Sequence, residues 1–207
     1  MGREPWRRPS GQFMHIKRSF QSEEELKGTL DYIYGKGKSF NGILEAAFNE
    51  VTIITAIHKI KSNKGANTPG VDGQKMRKYL QMSKEKLIQL IQISVKDYKS
   101  KPARRTFIKK SNGKLRPHGI PSAIDKIIQE CIKIIIEPIC EAKFYPQSFG
   151  FRPYRATKHV LHDAVRLISI KSNNKPVIAI EGDIEAYFDN INHRILLRKL
   201  YRTLLLK

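Results

Sequence analysis

Cysteines and long apolar runs, which are typical of secreted, metal-binding or membrane proteins, are scarce in the 207-residue sequence. Its two cysteines, Cys131 and Cys140, lie in an isoleucine-rich stretch and lack the spacing of a zinc site. We interpret them as buried thiols, with a disulfide as the lesser alternative. No apolar run approaches the roughly 20 residues that span a bilayer, and the N-terminus lacks the apolar centre of a signal peptide. The sequence therefore predicts a protein that is neither secreted nor embedded in a membrane.

Acidic residues are the scarce charge, since 19 Asp and Glu face 39 Lys and Arg, giving a net charge of +20 at pH 7. Such an excess favours a polyanionic partner, with nucleic acid first and an anionic membrane surface as the alternative. Hydrophobic residues make up 40% of the chain. This content suffices for the core of one or two domains.

The first 20 residues show little periodicity. Arg7 and Arg8 lie there between Trp6 and Phe13. This composition predicts a flexible arm that contacts phosphates and stacks on bases. A solvated tail is the alternative.

Capping residues and apolar spacing predict several helices. The stretch Ser22–Glu25 is a capping box, and apolar residues every three or four positions predict one long helix over about 43–57. Ser122 with Asp125 caps a further helix, which Pro138 is expected to break or kink.

Cations are densest between residues 96 and 118, where nine Lys or Arg face a single acid, Asp97. Asn112-Gly113 is a hairpin-turn signal between two extended runs, residues 103–109 and 114–120. A basic hairpin on a solvated sheet edge is one interpretation. A surface that binds nucleic acid is the other.

Residues 177–184 alternate in the manner of a half-buried strand. One face is small or apolar throughout, whereas the other begins apolar and ends at Glu181 and Asp183. A lone carboxylate at a strand end is usually a turn residue. Asp183 therefore gains a functional interpretation only from its surroundings.

Four stretches, in order and spacing, resemble the reverse transcriptases encoded by group II introns. They are KGANTPGVDG at 64–73, IKKSNGKLRPHGIPSAIDKIIQ at 108–129, SFGFRPYRATKHVLHDAV at 148–165 and VIAIEGDIEAYFDNINH at 177–193. The third departs from the family pattern, because Tyr154 replaces a glycine and Ala156 a serine. These departures put the local turn in question.

The resemblance implies catalytic chemistry at the fourth stretch. The family's catalytic aspartate, here Asp183, binds Mg²⁺ together with the backbone carbonyl of the next residue, here Ile184. The implied reaction is two-metal phosphoryl transfer. Phe188, five positions on, occupies the place of the aromatic residue that packs under the incoming sugar and excludes a 2′-hydroxyl.

The resemblance also implies roles for the basic residues. Lys110 and Arg116 correspond to the pair that binds the triphosphate of the dNTP, and Arg152 and Arg155 to residues that can engage template or primer phosphates. The residues that we assign to RNA binding are Arg104, Arg105, Lys109, Lys114, Arg152, Arg155, Arg7 and Arg8.

The implied fold class is α+β, with helix-rich fingers that carry a basic β-hairpin and with the start of a palm sheet. We expect a basic arm over 1–20, fingers over 21–171 and a partial palm over 172–207. The implied partners are group II intron RNA, an RNA template with a DNA primer, and dNTP, with a homodimer as a further option and no membrane. The implied location is the bacterial cytoplasm or an organelle.

The family's Tyr-x-Asp-Asp motif is absent, since the chain contains no two adjacent aspartates. We therefore expect a portion of an RNA-directed DNA polymerase that binds RNA and is catalytically incomplete alone. In the intact protein it would also assist intron splicing. The alternative is a non-catalytic basic scaffold that binds RNA or self-associates.

Overall fold

The computed structural model describes residues 13–15, 20–34, 39–109, 111–172 and 178–204. Eight helices and four short strands lie within these ranges. In chain order they are β1 (Phe13–His15), α1 (Glu23–Tyr34), β2 (Ser39–Asn41), α2 (Ile43–Ala47), α3 (Glu50–Lys61), α4 (Met76–Leu80), α5 (Lys84–Lys96), β3 (Arg104–Lys109), β4 (Leu115–Ile120), α6 (Ala123–Glu141), α7 (Thr157–Ser172) and α8 (His193–Leu204).

Side-chain caps start the helices where the sequence predicts them. The Ser22 hydroxyl accepts a hydrogen bond from the Glu25 amide at 3.2 Å, and the Ser122 hydroxyl accepts one from the Asp125 amide at 3.1 Å. Each bond satisfies an amide that has no partner inside its helix. The predicted starts of α1 and α6 are therefore confirmed.

The long helix predicted over 43–57 is wrong, because the structure divides it into α2 and α3. Asn49 caps the second helix, its side-chain oxygen accepting from the Val51 amide at 3.0 Å. The Thr52 hydroxyl donates to the Ala46 carbonyl at 2.8 Å across the break. The apolar spacing does not follow the buried face across this corner, since Leu44 is 61% exposed while Ile53 is fully buried.

Helix α6 forms the centre of the core, with α1, α2, α3 and α5 packed around it. Its inward side chains are Ile127, Ile128, Cys131, Ile134, Ile135 and Ile139, all buried. Pro138 lies inside the last turns and does not end the helix, which continues to Glu141. Cys131 is a free, buried thiol, and Cys140 is also free.

Two small sheets accompany the helices. Strands β3 and β4 form the predicted antiparallel hairpin, in which Arg104 pairs with Ile120 and Lys109 with Leu115. The sequence did not predict the other sheet, a parallel pairing of β1 with β2. Residues 13–15 of the expected flexible arm are therefore in a strand. The mixture of helices with a two-stranded antiparallel sheet agrees with the α+β class.

The strand predicted over 177–184 does not form over its described residues, 178–184. Ile178 and Ile180 are 87% and 94% exposed. A strand needs a neighbour to accept and donate its backbone hydrogen bonds, and no described segment pairs with this one. The start of a palm sheet is thus missing from the described residues. Within the same residues, no helix has both the length and the apolarity to cross a bilayer.

Candidate nucleic-acid interface

The β3–β4 hairpin projects a row of cations into solvent. Its turn is closed by Asn112, whose side chain accepts from the Lys114 amide at 3.2 Å, and by Gly113 at a φ of +79°. Lys109, Lys114 and Arg116 are exposed. Among the described residues no carboxylate pairs with any of them. Three predicted residues, Lys110, Arg7 and Arg8, lie outside the described residues.

The hairpin cations divide between the two faces of the sheet. Opposed residues of an antiparallel pair share a face, and Ile108 opposes Arg116 while Lys109 opposes Leu115. Arg116 therefore shares the face of Ile108, and Lys109 lies on the opposite one. The sequence predicts a basic hairpin but does not separate these two directions.

The face that carries Arg116 borders an open cavity of about 540 Å³. Thr106, Ile108 and His118 line it from the hairpin, and Asn63 and Lys126 from the opposite walls. The Thr106 hydroxyl donates to the His118 carbonyl at 3.3 Å. On this face Thr106 is half-buried, whereas Ile108, Arg116 and His118 are exposed.

Arg104 lies at the base of the hairpin, and its side chain is bonded to the loop 62–73. Its Nε donates to the Pro69 carbonyl at 3.0 Å, and the side chain is half-buried. Its neighbour Arg105 is exposed. Although both were predicted to bind RNA, only Arg105 presents an uncommitted side chain.

Further contacts join the loop 62–73 to α6 and to the segment that precedes β3. Lys126 Nζ donates to the carbonyls of Gly65 at 3.3 Å and Thr68 at 2.8 Å. Burial and the nearby Arg104 charge both lower the pKa of Lys126. Lys101 pairs with Asp72 at 2.9 Å. We call Lys101, Arg104 and Lys126 together the clasp.

Gly70 shows how closely the loop and α6 approach. A β-carbon at this position would lie 2.7 Å from the Ser122 α-carbon, closer than real contacts allow. A hydrogen atom is therefore all that the site accommodates. Gly70 of the loop motif therefore allows the loop to pack directly against the start of α6.

Asp125 links the same region to α5. One of its carboxylate oxygens accepts from the Ser122 hydroxyl at 2.7 Å and the other from the Tyr98 hydroxyl at 2.8 Å. Burial, together with this hydrogen bond, raises the pKa of Tyr98 to about 12. Asp125 is itself buried. This aspartate of the motif therefore has a structural role, because its carboxylate joins Tyr98, which follows α5, to the start of α6.

Arg152, which the resemblance predicts to engage phosphates, is bonded within the protein. Its side chain is 5% exposed and pairs with Glu141, Nη2 to Oε2 being 2.8 Å. Its Nη1 donates to the carbonyls of Tyr145 at 2.8 Å and Ser148 at 2.7 Å. A phosphate contact of the Arg152 guanidinium would require these bonds to break, and the predicted contact stays a prediction.

Arg155 is partly committed in the same loop. Its Nη1 donates to the Pro146 carbonyl at 2.8 Å, and its guanidinium lies 5.3 Å from the centre of the Phe149 ring. Tyr154, where the family has glycine, adopts a φ of +58°. The turn therefore keeps the left-handed backbone that glycine favours, with a tyrosine in place.

The residues predicted for catalysis lie on an exposed segment. Asp183 accepts a hydrogen bond from the Ile184 amide at 3.0 Å. Phe188 is 79% exposed, and its ring makes an edge-on contact with Tyr187 at 5.5 Å between centres. Among the described residues, no hydrogen bond or ion pair joins this segment to the hairpin. Asp183 and Arg116 are therefore not brought into one bonded site.

The described residues do not complete a metal site. None of them forms a group of three or more His, Cys, Asp or Glu that could hold a metal ion. One carboxylate and a neighbouring carbonyl offer fewer oxygen ligands than Mg²⁺ or Ca²⁺ requires. Asp183 and Ile184 would be at most part of a donor set.

The clasp was not found from the sequence, although signals for it were present. A loop dense in glycine, proline and threonine carries many backbone carbonyls that need donors. Cations elsewhere in the chain can satisfy these carbonyls as readily as they bind phosphate, and those of the clasp are 29 to 61 residues from their partners. The sequence cannot tell an inward cation from an outward one within a hairpin whose base is partly covered.

Comparison with known proteins supports the resemblance. The family model described as reverse transcriptase (RNA-dependent DNA polymerase) matches residues 108–205. That match begins near the end of β3 and ends one residue beyond α8, and so includes the hairpin turn, β4, α6 and Asp183.

Three relatives in curated collections are similar over about two thirds of the chain. "Protein YkfC" of Escherichia coli (strain K12) is 39% identical over 142 residues, 68% of this chain and 37% of that protein. "Group II intron-encoded protein LtrA" of Lactococcus lactis is 41% identical over 146 residues, 67% and 22% respectively. An "Uncharacterized 91 kDa protein in cob intron" of Schizosaccharomyces pombe is 37% identical over 147 residues, 70% and 17%. The matched part of this chain thus spans well under half the length of each relative.

Proposed function

Since the chain belongs to the reverse transcriptases and maturases encoded by group II introns, we propose that it binds RNA through the exposed cations of its hairpin. In this proposal it supplies part of an RNA-directed DNA polymerase. Residues 21–171 are the fingers and 172–207 the beginning of the palm, with 1–20 as a basic arm. The partners are intron RNA, an RNA template with a DNA primer, and dNTP.

The observation that carries the proposal is the contrast between free and committed cations. Lys109, Lys114 and Arg116 have no carboxylate partner among the described residues, and Arg105 beside them is exposed. Unpaired cations held on a hydrogen-bonded hairpin lose little by meeting phosphates. Arg104 and Arg152 stabilise the protein from within and are not part of this surface.

Arg116 and Phe188 are the described residues that we propose for nucleotide binding. Arg116 offers a planar fork of donors suited to a triphosphate, and Lys110 would act beside it. Phe188 is exposed, so its ring is accessible to a sugar. Selection of deoxyribose by this ring follows from the family resemblance.

Polymerase chemistry requires more ligands than the described residues bring together. We propose that Asp183 and the Ile184 carbonyl contribute to a divalent-metal site, with Mg²⁺ the ion suited to hard oxygen donors. Such an ion would supply charge stabilisation to phosphoryl transfer. Because the donor set is incomplete, we expect this chain alone to bind Mg²⁺ weakly and to make no DNA.

A non-catalytic scaffold is the second candidate. It is favoured by the exposed apolar side chains of α7 and of the following segment, such as Leu161, Ile168 and Ile180. Contiguous exposed apolar surface is a common mark of association sites. In this candidate function the chain binds RNA and itself without synthesising DNA.

The test is a salt titration of affinity for structured RNA. If about five phosphates are neutralised, log affinity against log salt should slope by roughly −3 to −5. Changing Lys109, Lys114 and Arg116 together to Glu should weaken binding and flatten the slope. The matched control changes three exposed lysines of another face, Lys75, Lys78 and Lys86, to Glu.

Circular dichroism of both triple variants controls for folding. An unchanged slope in the hairpin variant would contradict the proposed surface. A slope flattened by the control variant instead would move the RNA surface to the α4–α5 face. Efficient primer extension by the wild-type chain would contradict the proposed catalytic incompleteness, and RNA binding coupled to concentration-dependent self-association would favour the scaffold.

A further inference from the structure

The loop between α6 and α7 is fastened from the inside by its two arginines. Arg152 bonds Glu141 and two carbonyls, and Arg155 bonds the Pro146 carbonyl. Their guanidinium groups lie 5.3 Å from the ring centres of Phe144 and Phe149 respectively. These contacts fix the path of the chain on both sides of Pro153.

Two aromatic rings of this fastened loop point into solvent. Phe151 and Tyr154 are 108% and 99% exposed. Their φ angles are +57° and +58°, a left-handed conformation that large side chains rarely adopt. Because both rings are exposed, no packing of the side chains offsets the cost of this backbone conformation. Residues with such strained backbones are concentrated at binding sites.

The surrounding charge selects the kind of ligand. Residues 142–162 contain four Lys or Arg and no Asp or Glu. Three of the four donate to acceptors within the protein, namely Lys143, Arg152 and Arg155, whereas Lys158 is exposed. Flat exposed rings in an acid-free stretch of a chain with a net charge of +20 suit a polyanion with flat faces, namely single-stranded nucleic acid, whose bases stack while its phosphates meet cations. A duplex hides the faces of its bases, and an apolar protein surface would have to cover the cations.

We propose that Phe151 and Tyr154 form a stacking platform for unpaired nucleotides. The proposal deepens the RNA-binding function proposed above and rests on it. Lys158, exposed in the same acid-free stretch, would meet a flanking phosphate. Because Tyr154 replaces a glycine of the family pattern, the platform distinguishes this chain from that pattern.

The test uses the full chain and an oligoadenylate of roughly ten nucleotides, a length suited to a single-strand site. Tyr154→Gly removes the ring and relieves the left-handed backbone. It should therefore weaken binding roughly 5- to 160-fold, the range for loss of one stacked base, without lowering the melting temperature. Tyr154→Trp should restore the affinity.

Two controls separate stacking from charge and from general damage. An abasic strand of the same length keeps the phosphates, and its affinity should be equal for wild type and Tyr154→Gly. Tyr201→Ala removes another exposed tyrosine, on α8, and should leave oligoadenylate affinity unchanged. Weakened binding in Tyr154→Gly with the abasic strand as well would overturn the platform in favour of a charge effect.

The remaining outcomes separate this proposal from the proposed function. Binding of structured RNA with unchanged oligoadenylate affinity in Tyr154→Gly would overturn the platform alone. Failure of the wild-type chain to bind either RNA would overturn both. Loss of self-association in Tyr154→Gly, measured by sedimentation, with unchanged oligoadenylate affinity would identify the rings as a protein contact.

Discussion

Isoleucine side chains are buried in one region of this molecule and exposed to solvent in another. In the helical body, the described residues between 20 and 141, Ile127 and Ile135 of α6 are fully buried. In the motif segment, residues 178–192, Ile178 and Ile180 are almost fully exposed. Both regions have a clear apolar pattern in the sequence, one with the period of a helix and the other with the period of a strand.

The difference shows what an apolar pattern requires in order to become structure. A helix completes its own backbone hydrogen bonds and needs only a surface for its apolar side. A strand needs a neighbouring strand for its backbone as well. The body contains the helices that cover α6, whereas no described strand lies beside the motif segment.

The most damaging change is expected at the ion pair that joins the body to the loop beyond it. Glu141→Gln would leave the buried guanidinium of Arg152 without a counter-charge, so the free energy of unfolding should fall by about 3–5 kcal/mol. Glu137→Gln, which removes an exposed pair with Lys133 on the same helix, should cost about 0–1 kcal/mol. Urea denaturation compares the two. Equal small losses would show that Arg152 reaches solvent.

The core of the body provides the next largest effect. Ile135→Ala removes a fully buried side chain and should lower the free energy of unfolding by about 2–5 kcal/mol, because a cavity remains. Urea denaturation followed by circular dichroism measures it. A loss no greater than that of an exposed isoleucine would contradict the burial that defines the body.

Much of the body was predictable because local signals decide it. Ser22 and Ser122 mark helix starts, Asn112-Gly113 marks the hairpin turn, and the spacing of the α6 isoleucines marks the core face. Local signals do not decide whether the predicted strand over 177–184 forms, because a strand needs a partner that is distant in sequence. The break at Asn49 was missed because apolar residues continue at helical spacing on both sides of it.

The candidate site was only partly predictable for a related reason. Residue type identifies a cation, but its direction depends on which carbonyls and carboxylates lie nearby. Arg104, Lys126 and Arg152 face inward to such acceptors, whereas Arg105 and Arg116 do not. The family pattern fixes the positions of these residues along the chain without stating which of them support the loop and which remain free.

Arg104 and Arg105 are neighbours in β3, but among the described residues only the side chain of Arg104 is bonded to another part of the protein. Arg104→Gln should lower the free energy of unfolding by about 1–3 kcal/mol, since the Pro69 carbonyl loses its donor, and should leave the salt dependence of RNA binding unchanged. Arg105→Gln should do the reverse, reducing the salt slope by about 0.7–0.9 for one phosphate contact. Paired urea and salt titrations measure both. A reduced slope in Arg104→Gln would place that side chain on RNA.

The smallest effect is expected in the motif segment. Ile180→Asn should change the free energy of unfolding by less than about 0.5 kcal/mol, because the side chain is already in water and contributes no burial. Urea denaturation at two protein concentrations measures it beside Ile135→Ala. A loss that approached the core value at both concentrations would mean that the strand forms within one chain. A loss that grew with concentration would mean that a second copy covers it, as the scaffold function requires.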